Sequence, residues 1–180
     1  MKHYEAMLGK MTLPDDDERA FPGDDIIKEA RYSYTQARII EAPPGIVWSY
    51  LMQLGCDRAG WYSIDLLDHG GEPSINHLVD GWEYRKPGDR ISASPAKDSF
   101  FEVYEVEREK YFIIGGHGHR LGGDFSMSWA FVLDRIGEDA TYLSARVRMK
   151  AAPAWSEWLQ GSLLAPAMHG LMQQVQLKNI

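Results

Sequence analysis

The alternation of apolar and polar residues changes period twice along the chain, and those changes mark out its elements. Thr35-Gln36-Ala37-Arg38-Ile39-Ile40 alternates as a half-buried strand. A helix follows: Pro43 and Pro44 suit a first turn that needs no N–H donor, Val47, Tyr50, Leu51 and Leu54 recur at helical spacing, and Gly55 caps the end. A second short helix around Ser63 to Leu67 stops at Gly70-Gly71. The period then shortens to two. Arg90 to Ser94, Phe100 to Val106, Tyr111 to Gly115, Ser126 to Leu133 and Thr141 to Lys150 read as strands, with turns at Lys86-Pro87-Gly88-Asp89 and Gly137-Glu138-Asp139. The stretch from Gly115 to Gly123 reads as a flexible loop. Met127, Trp129, Phe131 and Leu133 share one face of their strand, and Leu143, Ala145, Val147 and Met149 share one face of theirs. The opposite faces carry Ser126, Ser128 and Asp134, and Tyr142, Ser144, Arg146 and Arg148, which suits an antiparallel sheet with one wet face.

From Trp155 the period returns to helical nearly to Ile180. Trp155, Trp158, Leu159, Leu163, Met168, Leu171, Met172 and Val175 form a broad apolar stripe, which Pro166 should kink or break near its middle. A half-apolar sheet must be covered by something, and this last helix is the one element long enough to do it. The order is that of an α+β domain. We place it at residues 34–180, preceded by an acidic N-terminal arm, 1–33, that is broken by Pro14, Pro22 and Gly23.

Composition narrows the functional classes. The 180 residues are 44% hydrophobic, enough for one domain with a single core, so a wholly disordered chain is excluded. A net charge of −7 argues against a nucleic-acid binder, which needs a basic face to displace counterions. The lone Cys56 forms no internal disulfide, and neither a signal peptide nor an apolar run of membrane-spanning length is present, so a cytoplasmic location is expected.

The element order, together with particular stretches, resembles the START-like (SRPBCC, polyketide cyclase-like) superfamily. The stretches are Phe21-Pro22-Gly23-Asp24-Asp25, Ile40-Glu41-Ala42-Pro43-Pro44-Gly45-Ile46-Val47-Trp48 and Gln53-Leu54-Gly55-Cys56-Asp57-Arg58-Ala59-Gly60-Trp61-Tyr62-Ser63. Trp82, Pro87-Gly88-Asp89-Arg90 and Trp129-Ala130-Phe131-Val132-Leu133 are similar to an uncharacterised bacterial subgroup of that superfamily. The resemblance runs from about residue 21 to the end. It implies the helix-grip fold: a curved antiparallel sheet wrapped around the C-terminal helix, two short helices after the first strand, and an apolar cavity between sheet and helix. Members bind lipids, sterols, polyketides or hormones there, and some catalyse cyclisation or dehydration. A shared fold leaves function to the site itself.

The expected ligand-facing set is Gln53, Arg58, Trp61, Tyr62, Trp82, Met127, Trp129, Phe131, Trp158, His169 and Met172, with Ala165 on the same helical stripe. Aromatic rings with polar tips and flexible methionines suit a mainly apolar ligand held by a few hydrogen bonds, although the same residues could simply pack as core. Arg58 could fix a ligand carboxylate, but a structural salt bridge to Asp57, Asp65 or Asp68 is favoured. Gln53 could present its amide at a cavity mouth or close a helix end. His169, and less so Arg58, are the acid-base candidates, against the plainer reading of His169 as a core histidine satisfied by one hydrogen bond. His117 and His119 share a strand face near Asp124, yet the surrounding glycines argue for a mobile loop near the cavity entrance rather than a metal site. Cys56 has no base partner in sequence. No phosphate-binding loop, nucleophile elbow or zinc motif requires a cofactor. The expected function is binding of a hydrophobic or amphipathic small molecule, with a polyketide cyclase or dehydratase as the alternative. A homodimer through exposed sheet edges or the Gly-rich loop stays open.

Overall fold

The computed structural model describes residues 18–120, 123–153 and 164–180. Six strands form one antiparallel sheet in the order β1-β6-β5-β4-β3-β2. They are β1 (Tyr32–Ile40), β2 (Arg90–Ser92), β3 (Phe100–Glu107), β4 (Tyr111–Arg120), β5 (Gly123–Ile136) and β6 (Ala140–Ala152). Helices α1 (Pro44–Met52) and α2 (Asp65–Asp68) follow β1, and α3 (Leu164–Asn179) closes the chain. This is the α+β helix-grip arrangement, and each strand read from the sequence is present. Trp155, Trp158, Leu159 and Leu163 of the expected helical stripe lie outside the described residues.

The inner face of the sheet is apolar because alternate residues of each strand are. Leu143, Ala145 and Val147 of β6, Trp129, Phe131 and Leu133 of β5, and Phe112 and Ile114 of β4 pack with Val47, Trp48, Leu51 and Met52 of α1 in one core. The two arginines near the end of α1 serve its unpaired carbonyls, as cations at a helix C-terminus do. Arg85, only 3% exposed, donates to Met52 O and Leu54 O, and also pairs with Asp57 at 3.0 Å.

Three expectations change. First, the outer face is not wet along β6. Segment 18–31 lies across it, so Ala37, Thr35, Ile113, Ser144 and Arg146 are buried. The Arg146 guanidinium lies 3.9 Å from the centre of the Phe21 ring, and its Nη1 donates to Asp24 Oδ2 at 2.8 Å and to Arg19 O at 2.8 Å. Arg148 donates to Ile27 O and Lys150 to Glu29. The polar residues of β6 are thus clamps for the N-terminal segment.

Second, α3 is rotated relative to its apolar stripe. Met168 and Leu171 are 47% and 50% exposed, whereas Gln173, Gln176 and Leu177 are buried. Two amides set this rotation: Gln173 Nε2 donates to Ala145 O at 3.1 Å and Gln176 Nε2 to Trp61 O at 2.9 Å. Pro166 lies in the first turn of this helix over its described residues, Leu164–Asn179.

Third, the glycine-rich stretch is strand and not loop over its described residues, 115–120 and 123. Residues 115–120 pair in register with 123–128 as the extended ends of β4 and β5. The glycines make room for neighbouring groups. A Cβ on Gly115 would stand 2.3 Å from both Met127 O and the Tyr104 ring, while one on Gly116 would meet nothing closer than 3.5 Å. Gly115→Ala should therefore destabilise the protein by about 1–3 kcal/mol and Gly116→Ala by much less. Equal tolerance of both changes in urea unfolding would contradict this packing.

Candidate functional site

The residues that converge on the inner face come from β1, β5 and α3 and from the segment after α1. Trp61 stacks on Trp129 with centroids 5.8 Å apart, and Phe101 meets both rings edge-on. Trp129 leans on Phe131 at 4.9 Å, which continues the wall to Phe112. Met127, half-buried, is next to Trp129 on the same strand face. Tyr62 is held at φ 56, in the left-handed region, by three bonds: its N–H donates to Ser74 Oγ, its O accepts from Asn179, and its hydroxyl accepts from Gln53. Burial pushes the Tyr62 phenol up to about 12.

His169 of α3 sits against this wall, its ring 4.9 Å from that of Trp129 and edge-on. Its Nδ1 is hydrogen-bonded to the hydroxyl of Tyr34 on β1. Burial lowers the imidazole to about 4 and raises the Tyr34 phenol, so both are neutral at pH 7. With Tyr34 donating, the imidazole is the Nε2–H tautomer.

Around this pair lies a group of buried polar atoms without a hydrogen-bond partner among the described residues: Gln36 Oε1, Trp129 Nε1, Gln173 Oε1 and, further along α3, Gln176 Oε1. Ala145 links two of them, being the β6 partner of Gln36 and the acceptor for Gln173 Nε2. Leaving such an atom unsatisfied costs about 1–3 kcal/mol, so a cluster of them marks a place able to bind a polar group. A groove of about 430 Å³ opens between the ends of β1 and α3, lined by Arg38, Ile40, Leu177, Lys178 and Ile180. Arg38 and Leu177 also line a smaller gap beside Gln36 that is too narrow to admit a water molecule.

The other candidates sit apart from this centre. Gln53 is fully engaged, with Nε2 donating to Tyr62 Oη and His77 O and Oε1 accepting from Val79 N at 2.6 Å. Arg58 donates to the carbonyls of Met52, Trp82 and Tyr84, where the sequence suggested a carboxylate partner. Trp82 packs against the rim of the core. Met172 is half-buried, and its carbonyl accepts from Ser63 Oγ at 2.9 Å. The side chain of Ala165 and all of Trp158 lie outside the described residues.

His117 and His119 are on β4 with exposed His119 bound to Asp124 at 2.9 Å, and no group of three His, Cys, Asp or Glu that could hold a metal occurs among the described residues. Cys56 Sγ donates to Asp68 O at 3.1 Å, and burial raises its thiol, which opposes a nucleophilic role. Tyr34, Gln36 and Gln173 were missed from the sequence. Their signal was present: Tyr34 and Gln36 alternate on one strand face, and Gln173 follows His169 by one helical turn.

No described helix is long and apolar enough to cross a membrane. No family model matches the chain, and no curated protein matches it in sequence. Among solved structures, a Helicobacter pylori protein is similar at TM-score 0.52 and 13% identity, covering 93% of this chain and 96% of its own. A Mesorhizobium loti protein aligns at TM-score 0.49 and 13% identity over 82% of this chain and 96% of its own. An HSP90 activator from Plasmodium falciparum aligns at TM-score 0.48 and 14% identity over 78% and 88%. At 13% identity the likeness to the Helicobacter pylori protein is one of fold alone.

Proposed function

We propose that the protein binds a hydrophobic or amphipathic small molecule, lipid-like or polyketide-like, between the inner face of the sheet and α3. The observation that carries this reading is the cluster of unpartnered buried polar atoms beside a wall of aromatic rings. An apolar body would lie against Trp61, Phe101, Trp129 and Phe131, while a polar group would meet the side chains near His169. Titration with the neutral dye Nile red tests it. Saturable binding with enhanced emission is expected, and Trp129→Ala should weaken it at least tenfold; absence of saturable binding would refute the reading.

A second reading, an enzyme of the cyclase or dehydratase kind, is favoured by one feature. His169 is a neutral buried imidazole oriented by Tyr34, and in this tautomer its Nε2–H can donate a hydrogen bond to a bound carbonyl and polarise it. Arg58 is committed to backbone carbonyls, which leaves His169 as the acid-base candidate. Recovery of a bound ligand unchanged, with His169→Phe altering affinity alone, would exclude catalysis.

A further inference from the structure

We propose that the ligand's polar group, seated among Gln36, Trp129 and Gln173, is uncharged and both donates and accepts hydrogen bonds, as a phenol or alcohol hydroxyl does. This inference rests on the interior-binding reading and names the chemical class that reading leaves open.

The donor and acceptor inventory leads to it. Gln173 is oriented by its bond to Ala145 O, so the atom it leaves over is an acceptor, Oε1. The indole nitrogen of Trp129 is a donor and nothing else. Gln36 leaves its Oε1 unpartnered, and α3 passes so close that a Cβ on Gly170 would stand 3.7 Å from the Gln36 amide nitrogen. Two acceptors and one donor therefore await partners. Of these three atoms a carboxylate could answer the indole alone, since it has no proton to give to either glutamine oxygen. A hydroxyl can donate to a glutamine oxygen and accept from Trp129, and it still fits if the Gln36 amide is turned over.

Charge points the same way. His169 and Tyr34, the titratable groups facing this space, are held neutral by burial. The nearest cation along β1, Arg38, lines the outer groove with Lys178. An anion seated among the glutamines would be desolvated with no opposite charge beside it.

Three naphthalenes of nearly one shape separate the possibilities: 2-naphthol, 2-methylnaphthalene and 2-naphthoate, each used to displace Nile red at neutral pH. Naphthol should act at a concentration about tenfold below methylnaphthalene, the effect of one or two net hydrogen bonds, and naphthoate should act least. Gln36→Leu and Gln173→Leu should bring the naphthol and methylnaphthalene values together, whereas Arg38→Gln should leave them unchanged. In the wild-type protein, which needs no variant to fold, naphthol should shift the indole N–H resonance of Trp129. Methylnaphthalene as effective as naphthol would mean that water alone satisfies the amides; naphthoate as effective would mean that the site accepts an anion. Either result overturns this inference and leaves the binding reading standing. No displacement by any of the three removes both.

Discussion

Asp24→Ala is expected to lower the unfolding free energy by about 3–5 kcal/mol, the cost of taking a carboxylate away from a buried ion pair. The cation of that pair is Arg146, which is 3% exposed in the middle of β6 and meets Asp24 Oδ2 at 2.8 Å. The same carboxylate accepts from Phe21 N at 2.9 Å and lies 3.6 Å from Arg148, so one substitution loosens the N-terminal segment at three points. Arg146 would keep its bonds to Arg19 O and Thr35 Oγ1, which places the expected loss toward the lower end. Asp24→Asn, which retains an acceptor, should cost less. Urea unfolding at fixed pH decides it: a shift of the midpoint without a change in slope is the expected form. A loss below about 1 kcal/mol would show that the pair is screened by solvent.

The second large effect concerns acid. Burial holds His169 at about 4 in the folded protein against an ordinary 6.5. Below pH 6.5 the unfolded chain takes up a proton that the folded protein refuses until about pH 4, so stability falls as pH drops through that window. The difference amounts to about 3 kcal/mol. Asp68 works in the opposite sense. Burial, with the neighbouring Asp65 charge, raises it from 3.8 to about 6, so its contribution is full below pH 3.8 and is lost as pH rises through about 6. Asp68 is half exposed, and its share is smaller for that reason. The wild-type protein should therefore lose stability on acidification less steeply than His169 alone dictates. Asp68→Asn should steepen the loss, and His169→Phe should abolish or reverse it. Unfolding free energies measured between about pH 4 and about pH 7 for the three proteins give the slopes directly. A His169→Phe slope equal to the wild type would mean that His169 is solvated.

What could be read from the sequence, and what could not, follows from the range of the interactions involved. The faces of β5 and β6 were legible because Trp129, Phe131, Leu143 and Ala145 alternate with polar neighbours, and alternation is a local property of a strand. The inward position of His169 was legible for a similar reason. The rotation of α3 was not. Hydrophobicity pointed Met168 and Leu171 toward the core, but Gln173 and Gln176 are inside because each amide finds a backbone carbonyl on a distant part of the chain. The polar half of the site, Gln36 and Gln173, was hidden by the same habit of reading polar residues as exposed. Glycine misled at 115–118, where its small size admits the Tyr104 and Phe125 rings against the strand and chain flexibility is not what it supplies. Arg58 attracted a functional reading that its three backbone acceptors answer structurally.

The clamp between segment 18–31 and β6 also constrains the order of assembly. Asp24 and Arg146 are 122 residues apart in sequence, and β1 borders no strand but β6 among those described. During synthesis, which proceeds at about 5–20 residues per second, the first strand therefore emerges long before its neighbour exists. The sheet can grow from the β4–β5 and β5–β6 hairpins, whose partners are adjacent in sequence, and the two ends of the chain are joined last. A nascent chain halted before residue 140 should leave β1 open to protease while the hairpins already made are protected.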